Sequence, residues 1–198
     1  DAGEDPANLR QRASAREFRP REFAAAASFA VTTELRTLES HNVVAILEGS
    51  DESLKHEHLI YSAHWDHLGR DVALAGDPIF NGAIDNAAGV AQLLEIAEGF
   101  ASLERAPRRS VLFIATTGEE RGYLGARYYT QNPLYALAQA AAAINLDAGN
   151  VWGRTTDVNN MGYGLTSLDG VLDQAAKRQK RTFVGEPFAE GVYYFLSD

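Results

Sequence analysis

The sequence predicts an α/β domain with a mostly parallel central sheet flanked by helices. Three observations point there. From residue 42 onward, apolar strand-like runs alternate with segments of helical periodicity. The run 110–117 is apolar almost throughout, as expected of a strand covered on both faces. With 45% hydrophobic and 23% charged residues among 198, the chain can bury a core.

The elements follow in order. Residues 1–40 are expected to be a polar lead-in or linker from an upstream region, with 1 to about 22 rich in Arg and Glu. Residues 42–47 read as a strand closed by the turn signal Glu48-Gly49-Ser50-Asp51. Residues 58–64 are a second strand, and 67–82, with Gly69, Gly76, Pro78 and Gly82, a loop. A helix spans 89–103, with Val90, Leu93, Leu94, Ala97, Phe100 and Ala101 on one face and Asn86 as its N-cap. After the strand 110–117 come a helix at 123–130 and an Ala-rich segment, 140–146. That segment is ambiguous alone but reads as a strand between a helix and Asp147-Ala148-Gly149. Residues 165–180 form an amphipathic helix with cations in its last turn, which suits the helix dipole.

Composition excludes whole classes of function. Lys plus Arg number 18 against 27 Asp plus Glu, a net charge of −9, which disfavours a nucleic-acid groove or an anionic membrane surface. The absence of Cys removes disulfides, thiolate nucleophiles and Cys-ligated metal. No apolar run approaches the roughly 20 residues of a membrane span. The opening residues Asp1-Ala2-Gly3-Glu4-Asp5 are acidic and polar, unlike a signal peptide.

The acids and histidines fall at strand ends. His64 closes one predicted strand and Asp66 follows it, Glu119 and Glu120 follow the next, and Asp147 the next. Asp85 lies in the loop that opens the main helix. In open α/β sheets the ligand site lies beyond the carboxyl ends of the strands, so these segments converge on one edge. Unpaired carboxylates cannot crowd there without a cation. Histidine nitrogen with carboxylate oxygen suits zinc, with manganese or cobalt also admitted. In His64-Trp65-Asp66 the outer side chains share a face, so one can ligate while the other orients it. Of Glu119 and Glu120, one can bind metal while the other takes a proton from water.

Four blocks then carry a resemblance. They are Ser62-Ala63-His64-Trp65-Asp66-His67-Leu68-Gly69, Asn81-Gly82-Ala83-Ile84-Asp85-Asn86-Ala87-Ala88-Gly89, Thr117-Gly118-Glu119-Glu120-Arg121-Gly122-Tyr123-Leu124-Gly125 and Asn145-Leu146-Asp147. From about residue 42 to the end the chain resembles the co-catalytic di-zinc peptidases: bacterial leucyl aminopeptidases, glutamate carboxypeptidases and glutaminyl cyclases. The resemblance implies a zinc aminopeptidase/phosphorylase-like fold with 41–198 as the catalytic domain, incomplete at its C-terminus. It implies metal ligands His64, Asp85, Glu120 and Asp147, with Asp85 bridging two zinc ions beside a cis peptide to Asn86. Glu119 would be the general base and Asp66 would hold His64. The family's last ligand is a His directly after a motif like Ser197-Asp198, so the second zinc site is expected to be one ligand short in the chain as written.

The implied activity is that of a zinc-dependent exopeptidase, foremost an aminopeptidase acting on N-terminal residues of peptides through a water shared by the metals. A carboxypeptidase, a glutaminyl cyclase-type transferase and a non-catalytic binding domain on the same fold are the alternatives. Peptide is the expected partner, the oligomeric state is open, and a secreted or periplasmic location is implied. Blander readings attach to residues taken singly. His64 with Asp66 reads as a hydrogen-bonded strand end, Glu119-Glu120 as a solvated loop, and Asp147 as a polar strand end. The turn 118–125 lacks the Gly-Lys-Ser/Thr ending of a phosphate loop. His41, His56 and His58 are expected in solvent, and His67 beside the site in a supporting role. Tyr193 and Tyr194 could reach an oxyanion but read better as core or surface packing residues.

Overall fold

The computed structural model describes residues 5–20, 26, 28–150 and 152–185. The chain divides into two units, Asp1–Leu38 and Glu39–Asp198. In the first, helix α1 (Pro6–Ala13) starts where Asp5 accepts the Ala7 N–H at 3.0 Å and Pro6 takes the first helical position.

The second unit holds a four-stranded sheet in the order β1-β5-β2-β6. Strand β1 (Val43–Leu47) pairs antiparallel with β5 (Ser110–Thr116). Strand β2 (His58–His64) lies parallel to β5 and to β6 (Ala140–Asn145), so the sheet is mostly parallel. The apolar run of β5 is buried because successive side chains enter opposite layers. Val111 and Phe113 meet Leu93, Val90, Ile96 and Phe100 of helix α2 (Gly89–Ala101). Leu112 and Ile114 meet Tyr129 of helix α3 (Leu124–Gln131) with Ile60 on the other face. Two short pairs complete the described elements: β3 (Gly69–Arg70) with β4 (Ile79–Phe80), and β7 (Asp157–Asn159) with β8 (Thr182–Val184), the latter beside helix α4 (Leu168–Arg178).

Several expectations change in detail. The loop 67–82 contains the β3–β4 pair, whose two-residue strands are too short to show periodicity. Tyr123 is left-handed at φ 59°, so α3 begins one residue later. Residues 165–167 precede α4 rather than belonging to it. His58 is buried rather than solvated. It starts β2, and its ring meets Tyr135 edge-on at 6.1 Å.

Candidate metal centre

The sheet register brings the strand ends together. His64 lies opposite Thr116 across β2 and β5, and Ser62 opposite Asn145 across β2 and β6, with Ser62 Oγ donating to Asn145 Oδ1 at 2.9 Å. Beyond β5, Gly118 turns the chain at φ 69°, a left-handed conformation that glycine adopts freely, into a single turn at Glu119–Arg121. Asn42 pins this turn: its Oδ1 accepts the Thr117 N–H at 3.1 Å and its Nδ2 donates to the Gly125 carbonyl at 2.8 Å. Beyond β6, Asp147 follows within two residues.

Asp85 arrives from the other direction, in a kinked segment (Ala83–Ala88) that leads into α2. The Asp85–Asn86 peptide is cis, as the resemblance implied. Asn86 fixes the segment from a buried position. Its Oδ1 accepts the N–H groups of Gly89 and Ala148, each at 2.9 Å, and its Nδ2 donates to the Leu146 carbonyl at 2.9 Å. It therefore caps α2, as expected, and also ties that helix to the segment carrying Asp147. Gly89 is required at this junction, because a Cβ there would collide with Asn86 Oδ1 and the Leu146 carbonyl.

Two groups of potential ligands form around Asp85. His64, Asp85 and Asp147 make one, and His67, Asp85 and Glu120 the other, each with its ligand atoms within 4.8 Å of one another. His64 Nε2 lies 3.2 Å from Asp85 Oδ1 and 3.5 Å from Asp147 Oδ1. The second oxygen, Asp85 Oδ2, faces His67 Nδ1 at 3.8 Å, and His67 Nδ1 is 2.6 Å from Glu120 Oε1. His64 is 1% exposed, whereas Asp85 and Asp147 are 50% and 40% exposed, so the pair opens to solvent on the acidic side.

Asp66 meets His64 chiefly through its main chain. Its carbonyl faces His64 Nδ1 at 3.0 Å, while its carboxylate stands 4.0 Å away and accepts the Glu119 N–H at 3.4 Å. A proton on Nδ1 donated to that carbonyl leaves the Nε2 lone pair facing the two aspartates. Trp65, between them, turns away and donates to the His41 carbonyl at 3.0 Å.

These residues fit a divalent cation. His64 Nε2 is shielded from solvent and has no hydrogen-bond partner, although two carboxylates lie near it. Burial alone would lower the His64 pKa, but Asp147, the Asp66 carbonyl, Glu119 and Asp85 outweigh it and raise it. The field that favours a proton there equally favours a metal ion. One imidazole nitrogen with two carboxylate oxygens, and no sulfur, is a donor set for zinc.

Sequence reasoning underrated His67, which joins the second group as closely as any predicted residue, and missed Asn42. The adjacency of His67 to Asp66 was its only signal. Ser197, Asp198, Tyr193 and Tyr194 lie outside the described residues.

Residues 42–198 match peptidase family M28. The chain belongs to that family. Among its relatives, a protein named "Probable zinc metalloprotease" from Pyrenophora teres f. teres (strain 0-1) is 37% identical over 123 residues, which is 60% of this chain and 25% of that protein. A "Vacuolar membrane protease" from Clavispora lusitaniae is 31% identical over 127 residues, 64% of this chain and 11% of that protein. The chain thus spans a quarter or less of the length of these two relatives. The crystal structure of a peptidase M28 precursor from Shewanella amazonensis SB2B shares the fold, with TM-score 0.53 and 24% identity over 73% of this chain and 30% of that one.

The expectation of a secreted or periplasmic location is overturned, because several relatives are named vacuolar membrane proteases, among them those of Clavispora lusitaniae, Candida dubliniensis and Yarrowia lipolytica. The expectation rested on the resemblance alone, and no residue of the chain carried it. No described helix is long and apolar enough to cross a membrane.

Proposed function

We propose that residues 41–198 form the catalytic domain of a zinc-dependent exopeptidase, an aminopeptidase that removes N-terminal residues from peptides. The observation that carries this reading is the position of Asp85, whose two oxygens face two separate sets of ligand atoms. His64, Asp85, Glu120 and Asp147 would hold two zinc ions, which when bound supply Lewis acidity to water and to the scissile carbonyl.

The remaining roles fall to the protein. Glu119 takes a proton from the attacking water and returns it to the leaving amine. Its charge already acts on His64, and its main chain is held by the Asp66 carboxylate. Asp66 keeps the His64 ring oriented through its carbonyl. The half-exposed carboxylates at the mouth favour a substrate that brings a positive α-amine. The names of the relatives favour a vacuolar membrane location for this protein.

Replacement of Glu119 by Gln tests the reading. Turnover of peptides with a free N-terminus should fall about 10²–10⁴-fold while zinc content, measured by elemental analysis, stays unchanged. Undiminished turnover at normal zinc content would remove Glu119 as the base, and equal cleavage of N-acetylated peptides would exclude an aminopeptidase.

A further inference from the structure

His67 has a placement that a merely supporting residue does not need. Its Nδ1 and the Glu120 Oε1 are both shielded from solvent and stand 2.6 Å apart, at ion-pair distance but outside hydrogen-bond geometry. Unless a proton or a cation stands between them, two acceptor atoms this close repel, and each has lost its water. Asp85 Oδ2 completes the group at 3.8 Å from the same nitrogen. Across Asp85, the fully buried His64 Nε2 stands in the same condition, unpartnered and facing the other oxygen of that carboxylate. The two groups therefore have the same composition, one imidazole nitrogen and two carboxylate oxygens, with Asp85 common to both.

The ring of His67 is also held in position. Phe80, on β4, meets it edge-on with centroids 6.3 Å apart. Gly82 passes so close that a Cβ there would sit 2.9 Å from the His67 Cβ and 3.3 Å from its Cγ. The β3–β4 pair and Gly82 thus close the loop 67–82 back over His67, which aims Nδ1 at Asp85 and Glu120.

We propose that His67 is a metal ligand, its Nδ1 holding the second divalent cation together with Asp85 Oδ2 and Glu120 Oε1. On this assignment the second position draws an imidazole from the same segment that builds the first. The inference rests on the zinc reading above and adds a ligand to it.

Cobalt(II) serves as the probe, because its visible absorption reports the ligands directly. The full chain should take up two cobalt ions. His67→Ala should take up one and lose part of the absorption, while Asp147→Ala should lose the other component. Two ions and an unchanged spectrum in the His67→Ala chain would overturn the assignment and leave the zinc reading intact. No uptake by the unsubstituted chain would overturn both. Should the Ala variant fail to fold, nitrogen NMR of the unsubstituted chain decides. A shift of the His67 Nδ1 resonance on adding zinc supports ligation, and a shift confined to His64 overturns it.

Discussion

At the scale of single residues, Asn86 does the most joining. One buried amide satisfies the N-terminus of α2 and two main-chain groups of the segment 146–148. In Asn86→Ala those three main-chain groups lose their side-chain partner, and Gly89 N–H keeps only its contact with the main-chain carbonyl of residue 86. The expected loss is about 2–4 kcal/mol of stability, read by urea unfolding, accompanied by weaker zinc retention because Asp85 and Asp147 are both anchored through it. A stability change under about half a kcal/mol would show that the neighbouring backbone re-pairs. Asn86 was legible as a cap because the chain order Asp-Asn before an apolar periodic run is a helix-start signal. Its bond to the distant Leu146 carbonyl was not, since nothing local encodes a contact 60 residues away. The direction of the His67 ring was not legible for the same reason: Phe80 and Gly82 pack against it, and both lie across a loop whose path no periodicity reveals.

At the scale of elements, β5 is the centre of the domain. It is hydrogen-bonded on both edges and packed on both faces, and Leu112 is fully buried against Ile60, Ile114 and Tyr129. Leu112→Ala should destabilise the domain by about 2–5 kcal/mol, lowering Tm by roughly 5–20 °C in a thermal melt. A shift below a few degrees would mean that the layer beneath α3 collapses into the space. The strands that sequence reasoning found outright, β1, β2 and β5, are those whose runs of five or more strand-forming residues are bounded by turn signals or charged segments. The Ala-rich β6 was ambiguous because alanine suits helix as well as strand, and its pairing with β2 decides the matter. The pairs β3–β4 and β7–β8 were invisible, since strands of two or three residues leave no alternation to read.

At the scale of the whole molecule, the excess of acid makes stability depend on pH through the groups that the fold holds ionised. Asp51 is the clearest. Hydrogen bonds from the Ser53 hydroxyl and from Arg108, with the Ser53 N–H, lower its pKa from 3.8 to about 2. A carboxyl held below its ordinary value contributes stability above that ordinary value, and the contribution disappears as pH falls through the folded one. Asp51→Asn should therefore melt below the unsubstituted chain at neutral pH, and the gap should close between pH 3.8 and about 2. A gap that persists at the acid end would assign the effect to packing of the loop against Arg108. The legible part of the site was its set of strand ends, because chain direction and sheet type alone place them at one edge.

Asp85 carries one further consequence. A carboxylate with one oxygen toward each imidazole cannot serve either without being pulled by the other. On the two-metal reading, filling one position would neutralise and orient the very group its neighbour needs, so the two dissociation constants would be tied to each other by thermodynamic linkage. Emptying one position by substitution would then change the affinity that calorimetry reads at the other.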